Sequence, residues 1–323
     1  MKTTGILLPH TATARQRGLL LLFALLTSMT ACDAAWQQES NSLTWTQQGQ
    51  RAWRFNYQRT DGKPFFEIAG AGGVPLTTVR PADHPWHYGL WFSWKYLNGV
   101  NYWEQDRTTG KAEGRTSWNA PVIETNANGS ARITMELQYL HPSGRAELTE
   151  RRALNISPPG TDGTYAIEWD AHFKAGTNAV TLDRTPMPGE PKGQVNGGYA
   201  GLSLRMAAEP VAVALVSEHG AVTNFVSGRA RPETRALASN FSRDGHPLGG
   251  IAIVNAATNA PIATSPWYAV VNNQMRFFCS AILAPKPLEL LPGETLNLRY
   301  RILVRPEPWT ADDLATAVKQ SQP

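Results

Sequence analysis

The chain has 323 residues, with 30 basic and 26 acidic side chains and a net charge of +4 at pH 7. No basic run or Arg-rich segment stands out, which argues against a nucleic-acid partner. After residue 31 no apolar run approaches the ~20 residues that a membrane-spanning helix requires.

The N-terminal segment resembles a bacterial lipoprotein signal peptide over residues 1–31. Three basic residues and no acidic residue accompany a short apolar run, LLLLFALLTSMTA, which ends just before Cys32. The run is too short to span a membrane. The ending MTAC resembles a lipobox, which predicts that Cys32 becomes a lipidated N-terminus that anchors the protein to a membrane. Simple signal cleavage nearby is the alternative.

Asp33 directly follows this cysteine, as in the signal that retains lipoproteins on the inner membrane of enterobacteria. We therefore expect a periplasmic or cell-envelope protein. Removal of residues 1–31 leaves 27 basic residues against 26 acidic ones, a nearly neutral protein. With Cys32 lipidated, Cys279 is the only remaining thiol, so an intrachain disulfide is excluded and the core must hold the fold.

The remainder predicts residues 32–42 as a tether and residues 43–323 as a single domain, because no linker or internal repeat interrupts it. Apolar and polar residues alternate over 53–57, 133–139 and 296–302, which is typical of half-buried strands. Frequent Gly and Pro turn signals separate these strands. The pattern predicts an all-β fold, a large antiparallel β-sandwich or barrel.

One helix is predicted, near the C-terminus, over residues 311–319. Thr310 and Asp313 have the spacing of a capping box at its start.

Aromatic rings and imidazoles are concentrated in residues 83–104, DHPWHYGLWFSWKYLNGVNYWE. This stretch holds two of the seven histidines, four of the eleven tryptophans and three tyrosines. The density exceeds what a surface or a core needs, so we interpret the stretch as a binding site. Asn98 and Gly99 supply a turn signal that predicts a hairpin, with residues 100–103 as its second arm.

A strand over residues 86–94 would sort these side chains onto two faces with a period of two. His87 and Trp91 would share one face, on either side of Gly89. The opposite, core-facing set is Trp86, Tyr88, Leu90, Phe92 and Trp94. An exposed ring, an imidazole and room for close approach suit a carbohydrate ligand. The alternative is an ordinary hydrogen-bonded structural histidine.

The block DHPWHYGLWF…NGVNYW resembles the signature DHPHHRGLWF…NGVDFW of an uncharacterised bacterial family once labelled methane oxygenase PmoA-like. The resemblance extends over residues 64–304 and carries over His84 and His87. Trp86 and Tyr88 stand where the family often has histidine and arginine. The old label implies a membrane copper oxygenase, which the lack of an apolar span contradicts. The resemblance instead implies a secreted supersandwich like that of sugar mutarotases and polysaccharide lyases.

Two further strands carry polar candidates. Arg151, in the run Glu150-Arg151-Arg152, could hold a uronic acid carboxylate, or it could form an ordinary surface ion pair. In TYAIEWDAHFK the residues Glu168, Asp170 and His172 share one strand face, where they could divide acid and base roles or form a solvated sheet surface.

A long irregular loop rich in Pro and Gly is predicted over residues 183–199. Loops of this length in a compact domain are usually functional or disordered. Its best polar candidates are Asp183, Arg184, Asn196 and Tyr199, although Asn196 and the glycines after it could form only a turn.

No motif for a phosphate, a dinucleotide or an activated serine is present. The sequence predicts no cofactor. A divalent cation on His84 and His87 would need a third ligand from elsewhere, such as Asp83, His172 or His246.

Two functions fit these residues. The first is an enzyme that cleaves or isomerises a sugar linkage, as a lyase, a hydrolase or an epimerase, with catalytic candidates His84, His87, Arg151, His172 and Asn196. The predicted substrate-binding residues are Tyr88, Trp91, Trp103, Glu168, Asp170, Asp183 and Tyr199. The second is a lipoprotein that captures a glycan without turnover. The expected partner is an oligosaccharide or polysaccharide in both cases.

Overall fold

Antiparallel strands make up most of the chain, as the alternating pattern predicts. The computed structural model describes residues 34–259 and 266–321. The predicted signal peptide, Cys32 and Asp33 lie outside the described residues.

The strands are numbered in chain order. They are β1 (Ala35–Glu39), β2 (Ser42–Gln47), β3 (Gln50–Asn56), β4 (Phe65–Ile68), β5 (Leu90–Ser93), β6 (Tyr96–Leu97), β7 (Val100–Asn101), β8 (Arg115–Trp118), β9 (Val122–Thr125), β10 (Ala131–Leu140), β11 (Ala146–Ile156), β12 (Tyr165–Ala175), β13 (Val180–Asp183), β14 (Gly201–Arg205), β15 (Ala212–Ser217), β16 (Gly220–Ala221), β17 (Arg229–Ala230), β18 (Ala236–Arg243), β19 (His246–Asn255), β20 (Tyr268–Val271), β21 (Arg276–Cys279), β22 (Leu288–Leu290) and β23 (Thr295–Arg305). Short 3₁₀ helices span Arg59–Asp61, Ala71–Gly73 and Ala257–Asn259, and one α-helix, α1, spans Ala311–Gln320.

These strands form three antiparallel sheets. The nine-stranded sheet has the order β1-β2-β3-β4-β5-β14-β21-β20-β17, and the ten-stranded sheet has the order β16-β15-β18-β19-β23-β12-β11-β10-β8, with β9 beside β10. A small sheet has the order β22-β13-β6-β7. The β6–β7 hairpin, which pairs Leu97 with Val100, confirms the turn predicted at Asn98 and Gly99.

The core lies between the two large sheets. Phe92 of the nine-stranded sheet packs on Phe173 of the ten-stranded sheet, with ring centroids 5.3 Å apart, and Phe66 packs on Trp169 at 6.4 Å. The alternation in β12 explains this, because its odd-numbered residues are buried while Glu168, Asp170 and His172 face outward. The fold is therefore the all-β sandwich that the sequence predicts.

The first strand corrects the predicted tether. Ala35–Glu39 falls within residues 32–42, yet it forms β1 and pairs along its whole length with β2. Trp36 explains the pairing, because its ring packs 4.6 Å from that of Trp45 and 5.5 Å from that of Trp53. The described residues from Ala34 onward belong to one compact unit.

The strand predicted over residues 86–94 is wrong in its first half. Only Leu90–Ser93 is a strand, and the chain enters it through Gly89 with φ of 62°. A side chain at Gly89 would place its Cβ 2.4 Å from the Phe66 carbonyl oxygen, so this close approach requires glycine. The break in period puts Tyr88 on the same side of the sheet as Trp91.

Helix α1 confirms the predicted C-terminal helix and its cap. The Thr310 hydroxyl accepts a hydrogen bond from the Asp313 amide, and the Asp313 carboxylate accepts one from the Thr310 amide. Leu314 and Ala317 pack on small residues of β18 and β19, on the outer face of the ten-stranded sheet. No helix in the described ranges has both the length and the apolar character needed to cross a membrane.

A buried ion pair lies inside the sandwich. Glu150 and Arg152 point inward from β11, each at most 2% exposed, and Arg152 Nε and Nη2 donate to the two Glu150 oxygens at 2.6 and 2.9 Å. The Tyr139 hydroxyl also donates to Glu150 at 2.7 Å, and the Arg152 guanidinium lies 4.7 Å from the Trp169 ring centroid. Arg151 faces outward between them.

Arg152→Met should lower the free energy of unfolding by about 3–5 kcal/mol, because it leaves the Glu150 carboxylate buried without its cation. Urea denaturation followed by tryptophan fluorescence measures this. The double variant Glu150→Gln with Arg152→Met should be markedly more stable than the single variant, and Arg151→Met on the exposed side should cost less than about 1 kcal/mol. A single variant as mild as the Arg151 control would contradict this account.

Candidate active site

A second cluster of rings covers the outer face of the nine-stranded sheet, opposite the sandwich core. This second cluster arises because side chains alternate between the two faces along each strand. Phe278 of β21 points into the core, for example, while Phe277 points outward. The outer cluster contains Phe65, Tyr88, Trp91, Trp103, Tyr268 and Phe277. A sheet with rings on both faces is covered on the outer side by loops, and a cavity lies among them.

This cavity has a volume of about 890 Å³. Its lining comes from the loop before β5, from the chain after β7, from the long loop before β14, and from β17, β20 and β21. The lining residues are Ala82, Asp83, His84, Trp86, His87, Trp103, Glu104, Arg107, Asn196, Tyr199, Arg229, Tyr268, Val270, Asn272, Gln274, Met275 and Phe277.

Asp83 orients His84 from one side of the cavity. His84 Nδ1 lies 2.8 Å from Asp83 Oδ2, and Arg205 Nη2 donates to both Asp83 oxygens at 3.0 and 2.8 Å. Burial would raise the pKa of Asp83, but the hydrogen bonds from His84 and Arg205 and the Arg205 charge outweigh it and lower that pKa. The ionised carboxylate only accepts, so Nδ1 of His84 carries a proton.

His87 lies behind His84 and is almost fully buried. Its ring stacks on that of His84 at 4.7 Å and on that of Phe277 at 4.9 Å. Arg205 Nη1 approaches His87 Nδ1 at 3.4 Å. Burial, together with the charges of His84, Arg205 and Lys63, holds the pKa of His87 well below its ordinary value. His87 is therefore neutral at neutral pH.

The two imidazoles are consequently in different states. Arginine has no acceptor atom, so His87 Nδ1 must accept and its proton resides on Nε2. In neutral His84 the proton is on Nδ1, which leaves the Nε2 lone pair free. The His84 side chain is 35% exposed, so a ligand can reach it. Neutral His84 thus has a proton acceptor at Nε2 and His87 a hydrogen-bond donor at Nε2, in rings stacked 4.7 Å apart.

Glu104 is a second carboxylate in the cavity wall. Burial would raise the pKa of Glu104, but the Lys95 ammonium and hydrogen bonds from Lys95, Tyr199 and Asn101 outweigh it and lower that pKa. The Tyr199 hydroxyl donates to Oε1 at 2.5 Å, and Asn101 Nδ2 donates to Oε2 at 2.9 Å. Both carboxylates of the cavity are therefore ionised and locally paired.

The predicted aromatic platform differs from the observed one. Trp91 is fully buried beneath His87, with ring centroids 5.1 Å apart, so its predicted exposure is wrong. Trp103 lines the cavity but is only 2% exposed. Tyr88 is also fully buried, and its hydroxyl accepts a hydrogen bond from Gln105 Nε2 at 2.7 Å. The half-buried rings of Trp86 and Tyr199 are those that a ligand can touch.

Four of the candidates lie far from this cavity, on the outer face of the other large sheet. They are Arg151, Glu168, Asp170 and His172, and they line two separate pockets there, of about 740 and 420 Å³, beside strands β10, β11 and β23. Arg299 pairs with Asp170 at 2.8 Å, and Arg301 pairs with Glu168 at 3.0 Å. The prediction that they share a site with His84 is wrong, because the sandwich core separates the two outer faces.

The long loop contributes two of its four candidates. Asn196 and Tyr199 line the cavity. Asp183 ends β13, where its carboxylate accepts from the Arg184 amide, and Arg184 is buried against the carbonyl of Leu283 and the Glu190 carboxylate. These two residues stabilise the loop instead of lining the cavity.

Sequence reasoning missed Arg205, Glu104, Arg229 and the rings of β20 and β21. A signal for Arg205 is present in GLSLR, where Leu202 and Leu204 point into the core and Arg205 must therefore point outward from a strand in the middle of the sheet. In the described ranges, no group of three or more His, Cys, Asp or Glu side chains is placed to hold a metal ion.

Comparison with known proteins gives a family and distant structural likenesses. The family described as "Family of unknown function (DUF6807)" matches residues 42–319. No curated protein matches the chain. Among solved structures, "a putative aldose 1-epimerase" from Klebsiella pneumoniae is 8% identical over 88% of each chain, with a TM-score of 0.38. A TPR-domain containing protein from Parabacteroides distasonis is 10% identical over 86% of this chain and 48% of that chain, with a TM-score of 0.30.

The neutral state of His87 makes stability depend on pH. The pKa of His87 is lower in the folded than in the unfolded chain, so the unfolded state binds more protons as the pH falls below about 6.5. Stability should therefore be complete above that pH and fall below it, by at most about 1.4 kcal/mol per pH unit from this group.

Thermal melts of wild type and His87→Gln at pH 7.5 and pH 5 measure this contribution. The wild type should lose more stability between the two pH values than the variant, while His246→Gln, at an exposed position, should behave as wild type. Equal acid losses in wild type and His87→Gln would contradict a buried neutral imidazole.

Proposed function

The chain belongs to the family of unknown function DUF6807, and we propose that it is a carbohydrate-active enzyme whose reaction begins with removal of a proton by His84. The observation that carries this proposal is the array Arg205–Asp83–His84, in which Asp83 holds Nδ1 of a histidine that lines a cavity of about 890 Å³. The size and the mixture of rings and polar groups suit a sugar unit.

His84 has the features of a general base. The Asp83 carboxylate fixes its tautomer and orientation and stabilises the imidazolium that forms when Nε2 takes a proton. Arg205 in turn holds Asp83 from a buried position, 5% exposed, on the rigid strand β14. The base is thus positioned by sheet residues and not by a loop alone.

His87 supplies the complementary group. A neutral imidazole with its proton on Nε2 donates a hydrogen bond without giving up a full positive charge, which suits an oxygen that gains negative charge during proton removal. The stacked rings of His84 and Phe277 hold it in place. Proton acceptance and charge stabilisation are therefore assigned to adjacent side chains.

The carboxylates favour elimination or epimerisation over hydrolysis. Hydrolysis by a pair of carboxyl groups needs one of them protonated to act as the acid. Asp83 and Glu104 are both kept ionised by cationic partners, so neither serves that purpose. A lyase or an epimerase begins with proton removal beside a stabilised anion, which His84 and His87 provide. In an elimination the His84 imidazolium then gives its proton to the departing oxygen, and in an epimerisation the carbon takes a proton from water on its other face.

His84→Gln should lower turnover by about 10²- to 10⁴-fold, because it removes the base while retaining a side chain of similar length. The test incubates wild type and variant with neutral oligosaccharides, uronic oligosaccharides and 3-keto-glycosides in D₂O, followed by mass spectrometry. Elimination adds no water, hydrolysis adds one, and reversible proton removal introduces deuterium at carbon. Asp162→Asn, at an exposed loop, is the matched control and should retain full activity.

Non-catalytic capture is the outcome that would overturn the enzyme proposal. Sugar binding that persists in His84→Gln, with no product and no deuterium incorporation from the folded wild type, would establish a binding protein instead.

We also propose that the protein is attached to the cell envelope through acylated Cys32. The support is the lipobox-like ending MTAC before that cysteine. Cys32→Ser should move the protein from the membrane fraction to the soluble fraction and abolish labelling by a palmitate analogue, and Cys279→Ser should leave both unchanged. Soluble, unlabelled wild-type protein would contradict this attachment.

A further inference from the structure

One corner of the cavity presents hydrogen-bond donors from Arg229 and Asn272, and we propose that it binds the carboxylate of a uronic acid unit. This inference rests on the proposed function, because it names the substrate class of the same cavity.

Arg229 projects from β17, at the edge of the nine-stranded sheet, and is held in a fixed position. Its Nε donates to the Tyr268 hydroxyl at 3.0 Å and its Nη1 to the Ser227 carbonyl at 2.9 Å. Neither acceptor is a carboxylate, and among the described residues the Arg229 guanidinium has no ionic partner. Its half-buried side chain lines the cavity, so its remaining N–H groups are available to a ligand.

Asn272 adds a second donor whose orientation the structure fixes. Its Oδ1 accepts from the backbone amides of Gln274 at 2.9 Å and Met275 at 2.8 Å. The amide oxygen is therefore committed, and Nδ2 is the free end. A Cβ on Gly228, the residue before Arg229, would lie only 3.3 Å from this Nδ2. Asn272 thus lies against the segment that carries Arg229, and both side chains line the cavity.

The charge balance of the cavity favours an anion. Its two carboxylates, Asp83 and Glu104, already have buried cations as partners. Arg107, at the mouth, donates to the backbone carbonyls of Ala82 and Asp83 and so leaves its charge uncompensated as well. A guanidinium and an amide donor in the same cavity wall can bind the two oxygens of a carboxylate.

A neutral sugar would leave the positive charges of Arg229 and Arg107 without an ionic partner. A uronic acid unit supplies the carboxylate and keeps the hydroxyls that Glu104 and Asn196 can bond. The corner therefore determines specificity for anionic over neutral sugars.

Isothermal titration calorimetry tests this with trigalacturonate, triglucuronate and trimannuronate, beside neutral cellotriose and galactotriose, at one fixed ionic strength. We expect at least one uronate to bind at least about tenfold more tightly than either neutral sugar. Arg229→Gln should weaken that binding at least about tenfold, and Arg229→Lys, which keeps the charge without the planar fork, should fall between. Arg132→Gln, on the outer face of the other large sheet, should bind as wild type.

The outcomes separate this inference from the proposed function. Failure of every uronate to bind, or equal losses for neutral and anionic sugars in Arg229→Gln, overturns the inference. Turnover of neutral sugars without uronate binding overturns the inference and leaves the proposed function standing. Arg229-dependent uronate binding without any chemistry overturns the proposed function and leaves the inference standing.

Discussion

The arrangement of the candidate site depends on one buried guanidinium. Arg205 lies opposite Phe277 in the β14–β21 pairing, and it contacts both Asp83 and His87. A cation at 5% exposure requires compensation, and Asp83 supplies it. The Arg205–Asp83 ion pair therefore holds the loop before β5 against the sheet, and both histidines lie in that loop. The Arg205–Asp83 ion pair therefore contributes both to the folding of this loop and to the electrostatics of the site.

The nine-stranded sheet makes this possible because both of its faces are apolar at its centre. One face packs on the ten-stranded sheet, and the other carries the outer cluster of rings, beside which the cavity lies. Loops cover this cluster, and their polar ends meet the rings around the cavity. The ten-stranded sheet differs, since its outward residues near β12 are charged and pair across the strands. The same alternation thus places rings around the cavity on one side and charged pairs on the other.

Local periodicity explains what the sequence could predict. The all-β class, the capped helix and the inward residues of β10, β12 and β23 follow from alternation and capping, which depend on neighbouring residues. Several residues of the stretch 83–104, where rings and imidazoles are concentrated, also line the candidate cavity. The misplaced residues need distant information. Glu168 and His172 have a proper strand pattern, but which outer face they occupy depends on the order of strands in the sheets. Trp91 lies on the outer face, as its strand pattern indicates, but the distant ring of Phe277 and that of His87 pack on it and bury it.

The two histidines show why such a site requires the whole fold. In the sequence they are three residues apart and equivalent, so their roles could not be assigned. In the structure one is partnered by an acceptor, Asp83, and the other by a donor, Arg205. A donor at Nδ1 forces the proton to Nε2, and an acceptor at Nδ1 frees the Nε2 lone pair. Their opposite chemistry is therefore imposed by two partners of opposite charge that themselves form an ion pair. A change at either partner would alter both imidazoles together.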